Sequence, residues 1–112
     1  MFSTKAQIYT FTRQVYRRLK NESFMVKFMR QKGVAGKCYP GINWIELNPS
    51  EDVLSTLVHE MLHDIYPDWT EKKVLKMENL LMNKLSHKQM INLWVALGES
   101  LKRNYPIWER IK

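Results

Sequence analysis

His59-Glu60-Met61-Leu62-His63 places two imidazoles four residues apart, with a carboxylate directly after the first. On a helix this spacing sets both rings on one face, one turn apart, where a single zinc ion can bridge them. Glu60 can then act as general base on zinc-bound water, which is the chemistry of amide hydrolysis. Zinc in a catalytic site usually takes three protein ligands, so a third donor is needed.

The motif needs a helix to carry it, and the surrounding residues supply one. Leu54, Leu57, Val58, Met61, Leu62 and Ile65 form an apolar stripe, and His59 and His63 fall nearly opposite its centre. A histidine buried for packing would fall inside the stripe, whereas this pair points together at something else. Asn48 can cap the helix, Pro49 suits its first position and Glu51 can reach back to the cap. The expected helix runs from about Pro49 to Ile65 or Tyr66, and Pro67 ends it.

No third His follows at a short spacing; Trp69 stands six residues after His63. His87 lies beyond another expected helix and reads as a surface residue near a cap. Glu71 and Glu78, seven apart, share one side of a helix expected from Glu71 to about Leu85. A tight turn through Tyr66-Pro67-Asp68-Trp69 would fold that helix back beside the histidines. Glu71 is the favoured third ligand, Glu78 the second and Asp64 the third, an order that leans partly on the resemblance below. Two competing roles stand beside it: Asp68-x-x-Glu71 is itself a capping box, and Glu78 could pair with Lys72, Lys73, Lys76 or Lys84. Tyr66, Tyr39 and His87 are candidate donors to an oxyanion.

Residues 33 to 81 resemble the zincin metallopeptidases, especially minimal, often phage-encoded members loosely related to the SprT-like group. The resemblance rests on Gly36-Lys37-Cys38-Tyr39, Ile42-Asn43-Trp44-Ile45-Glu46-Leu47-Asn48, Thr56-Leu57-Val58-His59-Glu60-Met61-Leu62-His63 and Pro67-Asp68-Trp69-Thr70-Glu71-Lys72-Lys73-Val74. It implies a strand beside the active-site helix, His59 and His63 as ligands of one Zn2+ per chain, Glu60 as the catalytic residue and Glu71 opening the next helix as a ligand. The chain departs from SprT-like proteins in lacking a His shortly after the motif.

The remaining elements frame this centre. Thr4 to Lys20 reads as an amphipathic helix with Ile8, Phe11, Val15 and Leu19 inward and Ser3 or Thr4 as its cap. Phe24, Val26 and Phe28 alternate with Met25, Lys27 and Met29 as a strand. Val34 to Tyr39 suggests a second strand. A third is expected over Ile42, Asn43, Trp44, Ile45, Glu46 and Leu47, with either alternate set facing inward, and its edge could hold an extended substrate peptide. Ser86-His87-Lys88-Gln89 matches a capping box opening a last helix to roughly Arg103, with Tyr105-Pro106-Ile107-Trp108 as a tail docked on the core. The expected fold class is therefore α+β and zincin-like: an N-terminal helix, a small mainly antiparallel sheet of two or three strands, the motif helix and two further helices, in one domain over 1–112.

Hydrophobic residues are 45% of the 112 and charged residues 26%, a globular balance that excludes a disordered chain. No apolar run nears the roughly 20 residues of a membrane span, and the N-terminus lacks a secretory signal. The one cysteine, Cys38, excludes an intrachain disulfide and a multi-cysteine zinc site. The expected compartment is a reducing cytoplasm, that of the host if the chain is phage-encoded. The net charge of +7 is concentrated at the start, where residues 1 to 37 hold nine Lys or Arg against Glu22 alone. Such a basic face could bind nucleic acid through residues 5–37 or be a solvated surface. Peptide hydrolysis is thus the leading expectation, beside a non-catalytic zinc-binding interaction module and a basic nucleic-acid-binding protein.

Overall fold

The computed structural model describes residues 2–110, with side chains over 2–106. Its elements are α1 (Lys5–Lys20), β1 (Met25–Phe28), β2 (Gly36–Tyr39), β3 (Trp44–Leu47), α2 (Val53–Ile65), α3 (Glu71–Lys84) and α4 (His87–Arg110). The architecture is α+β, as the sequence implies: four helices around a three-stranded mixed sheet.

Thr4 caps α1 in a full capping box with Gln7, and Ile8, Phe11, Thr12, Val15 and Leu19 turn inward. At its other end Arg103 donates from Nη2 to the Leu19 carbonyl at 2.9 Å, satisfying a carbonyl the helix leaves open. Helix α4 packs on α1 and on β1, while α2 packs on β2, β3 and α3. The core runs between these layers through Phe11, Val15, Leu19, Val26, Ile45, Leu47, Leu57, Met61, Leu62, Leu93 and Leu97, all buried.

The sheet order is β1-β3-β2, with β1 parallel and β2 antiparallel to β3. This corrects the mainly antiparallel expectation. Short turns suggested three hairpin-joined strands, but the chain crosses from β1 past β3 to the far edge before returning. It corrects the substrate strand as well: Ile42 and Asn43 lie in the turn before β3, and Trp44, Ile45, Glu46 and Leu47 form the central strand. Both edges of β3 are already paired, so it cannot hold a peptide by edge pairing. The turn owes its shape to Gly41 at φ 85° and Asn43 at φ 56°, left-handed conformations that Gly and Asn adopt most readily. Ile45 and Leu47 are the inward set.

Two helix boundaries also differ. Asn48 does not cap α2; its Nδ2 donates to the Gln31 and Val34 carbonyls at 3.1 and 2.9 Å, and its Oδ1 holds the Ser50 N–H. Pro49-Ser50-Glu51 therefore forms a turn, and Asp52 caps α2 by accepting from Ser55 N–H. Helix α4 begins as expected, with Ser86 and Gln89 capping reciprocally, but continues to Arg110 through Pro106. Tyr105 is thus helical and 52% exposed, while the side chains of Ile107 and Trp108 lie outside the described residues.

Candidate metal centre

Helix α2 divides its faces as its stripe demands. Leu54, Leu57, Val58, Met61 and Leu62 are buried, and His59 and His63 emerge on the other side with ring centroids 4.9 Å apart. Pro67 follows α2 closely, and the chain reverses through Tyr66–Trp69, a reversal closed by the Trp69 N–H bonding the Tyr66 carbonyl at 3.1 Å. Thr70 then caps α3 by accepting from Lys73 N–H. Because Thr70 is the cap, Glu71 is released from the capping-box role that Asp68 offered it.

Glu71 faces both histidines. Its Oε1 lies 2.8 Å from His59 Nε2 and its Oε2 lies 2.7 Å from His63 Nε2. Donor atoms of His59, His63 and Glu71 lie within 4.8 Å of one another, close enough to hold a metal ion. Two imidazole nitrogens and one carboxylate oxygen are a donor set that catalytic zinc takes, leaving a fourth position open. The residues therefore fit the metal that the spacing suggests.

Glu78 has a different place from the one ranked for it. Two turns further along α3, its Oε1 accepts from His59 Nδ1 at 2.6 Å, and its Oε2 accepts from Ser55 Oγ at 2.5 Å. It thus grips the nitrogen of His59 that faces away from the donor cluster. A carboxylate there fixes the tautomer that leaves Nε2 free to ligate, and raises its basicity. Asp64 is removed from contention altogether, since its carboxylate lies 2.7 Å from Arg18 Nε of α1.

Glu60 is 6% exposed, at the edge of the core beside the histidines. Burial pushes its carboxyl up to about 7; the nearby His59 pulls it down, and the Glu71 and Glu78 carboxylates raise it further. Strand β2 runs directly over this carboxyl. A Cβ on Gly36 would sit 2.6 Å from Thr56 Cγ2 and 3.0 Å from Glu60 Oε2, so Gly36 has no room for a side chain. Cys38, on the same strand, has its thiol pushed up to about 12, first by burial and then by the Asp64 and Glu60 carboxylates.

Two hollows flank the cluster and share Gly36, His59, Glu60 and Glu71. One, of about 420 Å³, extends along Lys37 to Pro40; the other, of about 440 Å³, extends past Ala35 towards Leu75 and Glu78. Together they follow β2, the strand next to α2 with an unpaired edge. Of the three expected oxyanion donors, Tyr39 borders the first hollow, and its phenol donates to Glu46 Oε1 at 3.0 Å. Tyr66 does not border either: its ring stacks on Trp69 at 4.0 Å and meets Phe2 edge-on, against α1. His87 is exposed at the start of α4 and borders neither.

The sequence brought His59, Glu60, His63 and Glu71 into view. It did not reveal Ser55 as the clamp on Glu78 or Gly36 as the cradle of Glu60. The seven-residue spacing of Glu71 and Glu78 was a usable signal, since one face of α3 can reach both nitrogens of a ring. Compared with protein-family models, with curated proteins and with solved structures, the chain matches none.

Proposed function

We propose that the chain is a zinc-dependent metallopeptidase of zincin type that hydrolyses peptide bonds in an extended substrate. The observation that carries this reading is the convergence of His59, His63 and Glu71 on one point, with the buried carboxyl of Glu60 beside them. When bound, zinc would supply Lewis acidity, polarising the scissile carbonyl and acidifying a water. Glu60, raised by burial, would return towards its carboxylate form beside that charge. It would then accept a proton at a carboxylate oxygen and return it to the leaving amide nitrogen. Glu78 and Ser55 hold the His59 ring in the ligating orientation. The free edge of β2 offers a row of backbone donors and acceptors along both hollows, which an extended peptide can pair with. Tyr39 is placed to donate to developing negative charge if its phenol exchanges Glu46 for substrate.

Glu60→Gln tests the reading. Hydrolysis of a peptide library should fall by about 10²–10⁴-fold, the usual contribution of a general base, while elemental analysis still finds one zinc per chain. Full activity in that variant sinks the proposal. Stoichiometric zinc in the parent protein with no cleavage of any peptide would leave a metal-binding interaction module in its place.

A further inference from the structure

The outer face of α1 lies away from the metal centre, and its composition sets it apart. Lys5, Tyr9, Arg13, Tyr16, Arg17 and Lys20 fall within roughly 120° of the helix circumference at 100° per residue. The four cations and Tyr9 are exposed, and Tyr16 is half-buried. No acid occurs anywhere in α1. Arg18, around the helix from this stripe, is committed to Asp64, so the stripe's cations are separate from the pair that ties α1 to α2.

Cations and rings alternate along the stripe and touch. Arg13 lies over the Tyr9 ring at 5.9 Å, and Lys20 lies over the Tyr16 ring at 4.5 Å. Beside them a hollow of about 290 Å³ opens between α1 and α4, with Tyr9, Arg13 and Tyr16 on one wall and Gln89 and Asn92 on the other. Aromatic faces, fixed positive charge and side-chain amides are the three things a splayed nucleotide needs. The ring stacks on the base, the cation neutralises the phosphate, and the amide reads a base edge. By sequence, helix α4 carries Lys88, Lys102, Arg103 and Arg110 against Glu99 and Glu109, with Arg103 held by the Leu19 and Asn21 carbonyls, so the neighbouring helix is not acidic overall.

We propose that the α1 stripe and its groove against α4 bind single-stranded nucleic acid, separately from the metal centre. The stripe is about 23 Å long at 1.5 Å per residue, which spans roughly six phosphates of a stacked strand at 3.4 Å each. A single strand fits better than a duplex because the exposed Tyr9 ring can stack only on a base that is not already paired and stacked. A membrane surface would use the cations but leave the amide-lined groove without a role.

The test is fluorescence anisotropy of labelled oligothymidylate and oligouridylate with the full-length protein, titrated between about 50 and 200 mM salt. Affinity should fall log-linearly with salt. Arg13→Ala with Arg17→Ala should flatten that slope by about 0.7 for each phosphate no longer neutralised. Tyr9→Ala should weaken binding by roughly 5- to 150-fold with the slope unchanged, as expected when one base no longer stacks. Arg13→Lys and Tyr9→Phe should restore binding, which repair of a folding defect at these exposed positions would not explain. Zinc content should stay at one per chain in every variant, so the result is independent of the peptidase reading. Binding unaltered by Tyr9→Ala overturns the proposal. So does equal affinity for polyglutamate or for phosphatidylglycerol vesicles, which would assign the stripe to acidic proteins or membranes.

Discussion

The half of the molecule built on α1, α4 and β1 and the half built on α2, α3 and β2 share one apolar core but bury different polar groups beside it. In the first, the buried polar side chains described on α4 are Ser100 and Asn104, which bond each other and the Val26 carbonyl, while Gln14 Oε1 and Arg103 Nε are buried without a partner. In the second, His59, Glu60, Glu78 and Asp64 are held largely out of water within a short stretch of two packed helices. Buried ionisable groups destabilise a fold unless each is paired. Both halves feed the apolar core, and the α2–α3 half also spends part of that stability on holding charge in place. Besides the core, Arg18 of α1 ties the two together by neutralising Asp64, an acid next to His63.

The largest effect that could break this contrast concerns Cys38. With its thiol near 12 against an ordinary 9.0, the thiolate is about a thousandfold scarcer than in the unfolded chain near neutral pH. Alkylation of the folded, zinc-free protein should be slower by about that factor and rise tenfold per pH unit without levelling below about pH 11. A plateau near the ordinary thiol value would mean that the α2–α3 half is not the low-polarity environment described. Next, Leu97→Ala in the fully buried core of α4 should lower unfolding free energy by about 2–5 kcal/mol while zinc still binds. Loss of zinc with the core substitution would show the halves are not separable.

Zinc itself should raise unfolding free energy by about 2.7 kcal/mol when present at a hundred times its dissociation constant. Chelation should remove that increment and His59→Ala should abolish it, both measured by denaturant titration; an equal increment in His59→Ala would place the metal elsewhere. Smaller again, Glu78→Gln should weaken zinc binding by about 10–100-fold without eliminating it, whereas Glu71→Ala should eliminate stoichiometric binding. The reverse order would exchange the roles of the two carboxylates. Ser55→Ala should have the least effect, a loss of roughly 2- to 10-fold in zinc affinity, matching one hydrogen bond to a charged group already held by His59.

What the sequence disclosed was local. The stripe of α2, a cap for α1 at Ser3 or Thr4, the cap at Ser86 and the stop at Pro67 all depend on residues within a turn of one another. Those features sufficed to bring His59, Glu60 and His63 together, while the preference for Glu71 over Glu78 and Asp64 leaned partly on the resemblance. What stayed hidden was long-range. Asn48 has the chemistry of a cap, but two carbonyls from residues 31 and 34 compete for it and win. Nothing in residues 25–28 announces that they will pair in parallel with 44–47 rather than with β2, the next strand in the chain. Tyr39, Tyr66 and His87 could not be ranked as donors because their positions depend on packing between elements distant in the chain. Residues 102–110 carry Pro106, which argues for a helix end; the helix nevertheless runs through it, at the loss of the backbone donor to the Lys102 carbonyl.

The short reversal at Tyr66–Trp69 has a consequence for how the molecule folds. His59, His63 and Glu71 all lie within thirteen consecutive residues, whereas β1 must find β3 across some twenty. The entropy of closing the shorter loop is smaller, and α2 with α3 can form as a helical hairpin before the sheet is complete. A metal ion held by His59, His63 and Glu71 would then select that hairpin early, acting as a nucleation template for the chain.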